Sequence, residues 1–438
     1  MKIKALVYVP HDAAMKEYYN LFLNCGNVNP TFIVDAESSY EQKIVNENWG
    51  LLRLYNKAEP SRISIFKKGI VEYVKKRFID DSLLGVWLQK RFTPVLSRRL
   101  ESSLFKLKNE VKKLIIDKSI NSIFITNDRS CGYEAAVLLA AAESKIPSFI
   151  VPYAFSASYE SCLTLRARKV YNYSTNSNCK SNFFIDGKHY NFYRPWERLA
   201  LKKMLVMPEN PWVLGGSGFV KVLVDSEREL SRLKANGGEA SNYIITGSVA
   251  HDRLFKSIEN SIKNSVDSSQ DYVLLALPQY FEHKICSWSE HFNLVNELVT
   301  GLSQLTRKLI VSLHPKMDPN RYEFLTKYTN VEVATNDIIE LIPSCSLFVS
   351  NYSSTVALAL ICEKPAVIVD HLGVKYSDFF HEFEIKIFYS NKALFDGLRG
   401  CELFDGYRSR YSTTGLSPFD GKCTMRVESE ILNILEIT

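Results

Sequence analysis

Short apolar runs alternate with amphipathic stretches along almost the whole chain, the pattern of a parallel sheet whose strands are joined by crossover helices. In the first half the pattern predicts strands at Ala5–Val9, Thr31–Val34, Ser122–Thr126 and Ser148–Val151. Helices are expected at Ala14–Leu23, through a basic stretch after residue 60, and at the alanine-rich Tyr133–Ser144. Further strands are expected at Lys221–Val224, Tyr243–Ile245, Tyr272–Leu277, Lys308–Leu313, Val331–Val333, Leu347–Ser350, Ala366–Val369 and Ile385–Tyr389. Runs apolar at every position, such as Leu309–Leu313, read as strands buried on both faces. The expected fold class is α/β, two doubly wound Rossmann-like domains facing a central cleft. Lys180–Gly218, rich in Asn, Pro and aromatics, reads as an irregular crossover between them, which sets the domains at residues 1–219 and 220–438.

Length and composition fit that picture. At 438 residues the chain exceeds one ordinary core, and 46% hydrophobic residues with a mean hydropathy of −0.11 are globular values. No apolar run reaches the ~18–20 residues of a spanning helix, and Met1–Val9 reads as a first strand rather than a secretion signal, so a cytoplasmic protein is expected. The nine cysteines include no Cys-x-x-Cys pair and read as reduced thiols without a metal or disulfide framework. Charge is unevenly spread: Ser61–Lys113 holds 14 Lys/Arg against 5 Asp/Glu, a surplus of nine, while the whole chain carries only +6. Interleaved with Phe66, Trp87, Phe92 and Leu96, this region fits either ordinary helices with a solvated basic face or peripheral contact with an anionic membrane. Nucleic acid is not expected as a partner, since no zinc spacing or ribonucleoprotein signature accompanies the charge.

Candidate chemistry concentrates at two strand ends. Leu309–Leu313 runs into His314-Pro315-Lys316, and Leu347–Ser350 opens into Asn351-Tyr352-Ser353-Ser354-Thr355 followed by a small-residue helix. In open α/β sheets ligands sit at the carboxyl ends of strands, and hydroxyls, helix-start amides, an imidazole and an ammonium suit a nucleotide's phosphates. Lys316 and the serines also have ordinary readings, as a solvated loop lysine and as helix caps. No Asp-x-Asp, Gly-x-x-x-x-Gly-Lys-Ser/Thr or Gly-x-Gly-x-x-Gly is present, so no metal or further cofactor is expected.

Taken in order, Thr246-Gly247-Ser248 with Asp252, Leu277-Pro278-Gln279, His314-Pro315, Ser353-Ser354 and Lys364–Asp370 resemble the nucleotide-binding half of bacterial GT-B glycosyltransferases over roughly residues 220–380. The "HP" and "S-S" motifs look most like enzymes that use CMP-activated nonulosonic acids or Kdo, the sialyl- and polysialyltransferase type. The resemblance implies a surface-polysaccharide (capsule or lipopolysaccharide) glycosyltransferase that moves a sugar from a CMP-linked donor to an oligosaccharide or glycolipid acceptor. It assigns the donor phosphate to His314, Ser353 and Ser354, with Pro315, Lys316, Thr355, Gly247, Ser248 and Glu282 on the donor side. A proton acceptor is then expected from the first domain: Asp128 after the strand Ser122–Thr126, which equally reads as the cap of the helix that follows, with His11 next. Arg129, Tyr153 and Glu160 are acceptor-side candidates. UDP-GlcNAc 2-epimerases share the GT-B outline and the "Lys-Pro-Val" ending, but they carry His-x-Glu-Ala-Gly where this chain has Val151-Pro152-Tyr153-Ala154-Phe155. An epimerase-like isomerase, a CDP-glycerol-type glycerophosphotransferase and a non-catalytic binding subunit are the alternatives.

Overall fold

The computed structural model describes residues 2–35, 37–54, 83–153, 171, 182–185, 188–263, 272–282, 285–314, 317–351, 353–372, 385–399 and 418–437. It divides into two compact units, residues 1–247 with 423–438, and residues 248–422.

The first unit is built on a seven-stranded parallel sheet. Its strands are β1 (Ile3–Val9), β2 (Val28–Val34), β3 (Gly50–Arg53), β4 (Ser122–Ile125), β5 (Ser148–Ile150), β8 (Lys221–Val224) and β9 (Tyr243–Ile245), in spatial order β3-β2-β1-β4-β5-β8-β9. A separate antiparallel hairpin joins β6 (Asn182–Ile185) to β7 (Lys188–Asn191). Helices α1 (Asp12–Leu23), α2 (Glu41–Asn46), α3 (Leu83–Lys118), α4 (Tyr133–Glu143), α5 (Pro195–Lys203) and α6 (Glu227–Ala235) make the connections. β1 lies between β2 and β4, which explains why it is buried at six of its seven positions and carries no polar alternation. The chain leaves β1 toward β2 and β3, then resumes on the other side at β4, so the topological switch point lies between β1 and β4.

The second unit repeats that topology with six parallel strands: β10 (Val273–Ala276), β11 (Leu309–Ser312), β12 (Val331–Val333), β13 (Leu347–Ser350), β14 (Ala366–Val369) and β15 (Lys386–Phe388). Their order β12-β11-β10-β13-β14-β15 places a second switch point between β10 and β13. Helices α7 (Val249–Lys263), α8 (Trp288–Leu305), α9 (Ile338–Leu341), α10 (Thr355–Ile361) and α11 (Asn391–Arg399) complete it. Helix α8 opens on a capping box, in which Ser287 Oγ accepts from Glu290 N and the Glu290 carboxylate accepts from Ser287 N.

The two-sheet α/β class agrees with the sequence; the boundary does not. β8 and β9 extend the first sheet through β5, so the passage between units falls at Gly247–Ser248 rather than near residue 220. Helix Cys423–Ile437 also returns to the first unit, burying Val427 and Ile431, with Glu428 accepting from Asn27 N and Arg426 donating to the Thr246 carbonyl. Residues 182–218 are not an interdomain crossover: Trp212, Val213 and Leu214 are buried in the first unit's core. A hydrophobic strand signals burial but not which sheet buries it.

Among the described residues no helix is long and apolar enough to cross a membrane. Of the basic stretch, residues 61–82 lie outside the described residues; the remainder is the first part of α3.

Candidate functional site

At the β1/β4 switch point of the first unit the polar side chains satisfy one another. Tyr8 Oη donates to Asp35 Oδ2 (2.6 Å), and its ring stacks on Tyr133 at 4.8 Å. His11 caps α1, its Nδ1 accepting from Ala14 N at 3.3 Å; a neutral ring therefore carries its proton on Nε2 and donates it to Tyr153 Oη, 3.1 Å away. Asp128, the expected proton acceptor, is 2% exposed, and its two oxygens accept backbone N–H groups from Gly215 (3.1 Å) and Ser217 (2.9 Å). Through these two bonds Asp128 anchors the 210–218 loop. Gly215 has φ +84°, and a Cβ there would stand 2.8 Å from Val222, so the anchor needs glycine at that turn.

The carboxyl that stands out instead is Glu134, in the first turn of α4. It is buried, accepts from Thr126 Oγ1 (2.5 Å), Asn127 N (3.1 Å) and Asn127 Nδ2 (2.6 Å), and burial still lifts its pKa to about 7 against those lowering hydrogen bonds. No pattern singles it out beforehand, because one glutamate in an alanine-rich helix looks like an ordinary first-turn acid. Arg129 donates its N–H to Asn127 Oδ1 and receives Tyr193 Oη on its carbonyl, with its guanidinium 5.9 Å from the Phe192 ring centre. Glu160 lies outside the described residues.

The β10/β13 switch point of the second unit is organised differently. Tyr322 Oη donates to Glu282 Oε1 (2.9 Å), so its oxygen can only accept from His291 Nε2–H (2.8 Å). This leaves His291 Nδ1, on a fully buried ring, as a bare acceptor without a partner among the described residues, and Glu282 Oε2 likewise. Burial lowers the His291 pKa, with Glu282 opposing, which keeps the ring neutral and this tautomer in place. His371, after β14, donates Nε2–H to Asn391 Oδ1 (2.7 Å) and also leaves Nδ1 bare. Gln279 Oε1, Tyr280 Oη and Ser350 Oγ are shut off from solvent with no hydrogen bond of good geometry, although Tyr280 sits against the Asn351 side chain and the His371 backbone, and burial raises its pKa to about 12. The Tyr280 ring connects the set, 6.2 Å from His371 and 6.4 Å from His291. A small cavity lined by Ala276, Pro278, Ser350, Asn351, Val369 and His371 lies at the same strand ends. Buried polar atoms are rarely left without partners, and a concentration of them marks where something else supplies the missing bonds. Most are acceptors: two imidazole nitrogens, a carboxylate oxygen and an amide oxygen. They suit the N–H and O–H donors of a base and ribose better than they suit phosphate.

The remaining expected donor-side residues spread out. Ser353 Oγ pairs with Thr355 Oγ1 (2.8 Å) and accepts from Thr355 N, a bond of capping type at the helix start, whereas Ser354 has helical backbone angles and makes no side-chain capping bond. His314 ends β11, one strand away from the switch, in a turn where its carbonyl accepts from Met317 N. Pro315 and Lys316 lie outside the described residues. Gly247 (φ +90°) and Ser248 stand where the chain passes from one unit to the next, and not in the second unit's sheet. Tyr280, His291, Tyr322 and His371 escaped the sequence reading, since each has an ordinary core or loop reading until folding brings them together. Among the described residues no cluster of His, Cys, Asp or Glu could hold a metal ion.

No family model matches the sequence, and neither does any curated relative. Solved structures do share the fold. S. aureus MnaA, solved with UDP, superposes with a TM-score of 0.56 at 11% identity, covering 100% of this chain and 98% of that one. A putative UDP-N-acetylglucosamine 2-epimerase from Listeria monocytogenes gives 0.53 at 11%, covering 100% and 98%. The UDP-GlcNAc 2-epimerase of Neisseria meningitidis, bound to UDP-GlcNAc, gives 0.53 at 11%, covering 98% and 100%. At such identity the likeness establishes the fold, the two-unit α/β architecture of these GT-B-like proteins. It also corrects the expected partner and activity: the Listeria protein is a putative and the Neisseria protein a named UDP-GlcNAc 2-epimerase, and the S. aureus and Neisseria structures hold UDP and UDP-GlcNAc, so the reading of a CMP-donor nonulosonate or Kdo glycosyltransferase gives way.

Proposed function

We propose that this chain is an enzyme of UDP-sugar metabolism, an isomerase of the UDP-GlcNAc 2-epimerase type that acts on a UDP-linked sugar without a separate acceptor. The observation that carries the reading is the acceptor-rich set of unpartnered buried atoms at the β10/β13 switch point, in a chain whose whole length follows the fold of proteins solved with UDP and UDP-GlcNAc. Uracil and ribose present the N–H and O–H donors those atoms lack, and the Ser353–Thr355 hydroxyl turn after β13 is suited to a phosphate oxygen.

Inverting a carbon beside the anomeric centre breaks a C–H bond whose hydrogen is not acidic in the ground state, so the reaction needs a proton-transfer group whose pKa lies near the working pH. Where the epimerases have His-x-Glu-Ala-Gly, this chain has Val151-Pro152-Tyr153-Ala154-Phe155 with no acidic residue, so the proton-transfer group must come from elsewhere in the chain. The fit of a UDP-N-acetylhexosamine follows the fold alone, and the N-acetyl group is left to experiment.

Two measurements test this. Thermal-shift titration with UDP and CMP should show UDP as the stabilising ligand, by about 2.7 kcal/mol at a hundredfold excess over Kd. Proton NMR of UDP-GlcNAc in D₂O, with enzyme and no acceptor, should then show loss of the C2 proton signal and a second anomeric signal. Stabilisation by CMP instead of UDP defeats the nucleotide assignment; UDP binding without C2 exchange across UDP-hexoses defeats the isomerase.

A further inference from the structure

Helix α3 is a single 36-residue element whose two halves are built for different surroundings. In the second half, Leu104, Val111 and Ile115 enter the first unit's core, with Leu100, Leu107 and Leu114 packed against it. Lys108 and Lys112 reach Glu143 of α4, and Lys203 of α5 reaches Glu101, so this half is docked by both apolar and ionic contacts.

The first half contributes nothing to that core cluster. Its large apolar side chains face outward: Leu84 is 66% exposed, Trp87 59%, Phe92 51% and Val95 48%. At 100° per residue these four share one side, about 140° wide, with Arg91, Arg98 and Arg99. The opposite side carries Gly85, Gln89 and Ser97, which are buried. Large apolar and cationic residues thus face outward, while the other side buries Gly85, Gln89 and Ser97 beside the half-buried Val86 and Leu96. Between Leu83 and Leu100 there are four Lys or Arg and no Asp or Glu.

We infer that residues 83–99 form a docking face for a membrane surface rich in anionic lipid, with Leu84, Trp87, Phe92 and Val95 entering the headgroup–acyl boundary. Arg91, Arg98 and Arg99 then meet lipid phosphates. Cationic charge alone would suit any polyanion, but a polyanionic glycan leaves four large apolar groups in water. A bilayer interface takes both components, and Trp is the side chain whose apolar body and N–H match that boundary. Tryptophan and arginine together on one exposed helical face therefore select lipid over glycan. This inference is independent of the sugar chemistry above.

The full chain should co-sediment at low salt with phosphatidylcholine vesicles that contain phosphatidylglycerol, and not with phosphatidylcholine alone. Two double variants separate the components: W87S with F92S, and R98Q with R99Q. All four positions are exposed, so the thermal midpoint should stay within about 2 °C of the parent, and each pair should weaken vesicle binding about tenfold or more. Absence of sedimentation with phosphatidylglycerol at low salt overturns the inference. So does binding that survives W87S with F92S undiminished and is competed by a soluble polyanionic glycan, which would make the face a polyanion site. A concentration-dependent dimer abolished by W87S with F92S, with no vesicle binding, would assign the face to a second copy of the chain and equally overturn the membrane.

Discussion

The two switch points have the same topology and opposite hydrogen-bonding states. Between β1 and β4, Asp128, Glu134, His11 and Tyr8 each find a partner within the unit, and Asp12 Oδ1 is the buried side-chain atom beside them left without one. Between β10 and β13, Gln279, Tyr280, Glu282, Ser350 and two imidazole nitrogens at His291 and His371 remain bare. A satisfied buried network rigidifies a fold; an unsatisfied one costs stability in the free protein and can recover it only from a ligand. The same sheet edge therefore serves as scaffold in one unit and as the nucleotide's candidate seat in the other.

The contrast can be broken first at Asp128. Asp128→Ala removes the acceptor of two buried N–H groups, and by the usual cost of losing charge-assisted hydrogen bonds should destabilise the first unit by about 3–5 kcal/mol, read by urea denaturation. Asp128→Asn keeps one acceptor oxygen and should lose less. An Asp128→Ala protein as stable as the parent would show that the 210–218 loop does not depend on this carboxylate.

Next in size is the pH response of Glu134. Its folded pKa, about 7, lies above the usual carboxylate value, so its contribution is fully present below about 4.5 and is lost as pH rises through 7. His251, buried in the second unit with its pKa lowered to about 4, works in the other sense: its contribution is present above 6.5 and lost as pH falls toward 4. The two slopes oppose each other, so the informative quantity is the difference between proteins. Between pH 5 and 8 the parent should lose more stability than Glu134→Gln, by on the order of 2 kcal/mol. Parallel pH profiles for parent and variant would return Glu134 to an ordinary ionised carboxylate.

The smallest effect sharpens the comparison most. Tyr280→Phe removes a hydroxyl that has no good partner in the free protein, so stability should stay level or rise by up to about 1 kcal/mol. UDP affinity should nevertheless fall about tenfold by calorimetry, because the ligand loses a bond that only the complex makes. A clear loss of stability in Tyr280→Phe would mean the hydroxyl is already satisfied, and the second switch point would then resemble the first.

Much of the scaffold was legible from patterning. Strands at Lys221–Val224, Tyr243–Ile245, Val331–Val333, Leu347–Ser350 and Ala366–Val369 appear with the boundaries expected of them; the last two are buried at every position, and a strand covered on both faces is apolar nearly throughout. β3 was missed, because Gly50–Arg53 sits at the sheet edge, only partly buried, and carries little apolar signal. The site was legible only in location: residues after β10 and β13 were singled out, yet His291 on α8 and Tyr322 before β12 complete the Glu282 chain from far along the sequence.

What the amino-acid order determined by itself is the local periodicity, and with it the α/β class, the repeated strand–helix rhythm and the cationic, aromatic composition of α3. What tertiary structure alone decided is membership and pairing: that β8, β9 and helix Cys423–Ile437 belong to the first unit, that Asp128 serves a backbone loop, and that Tyr280 and His371 meet edge to face. The reason is physical. Burial of apolar surface is non-directional and is written residue by residue, whereas a hydrogen bond needs two named atoms within about 3 Å, and that proximity exists only once the chain has folded.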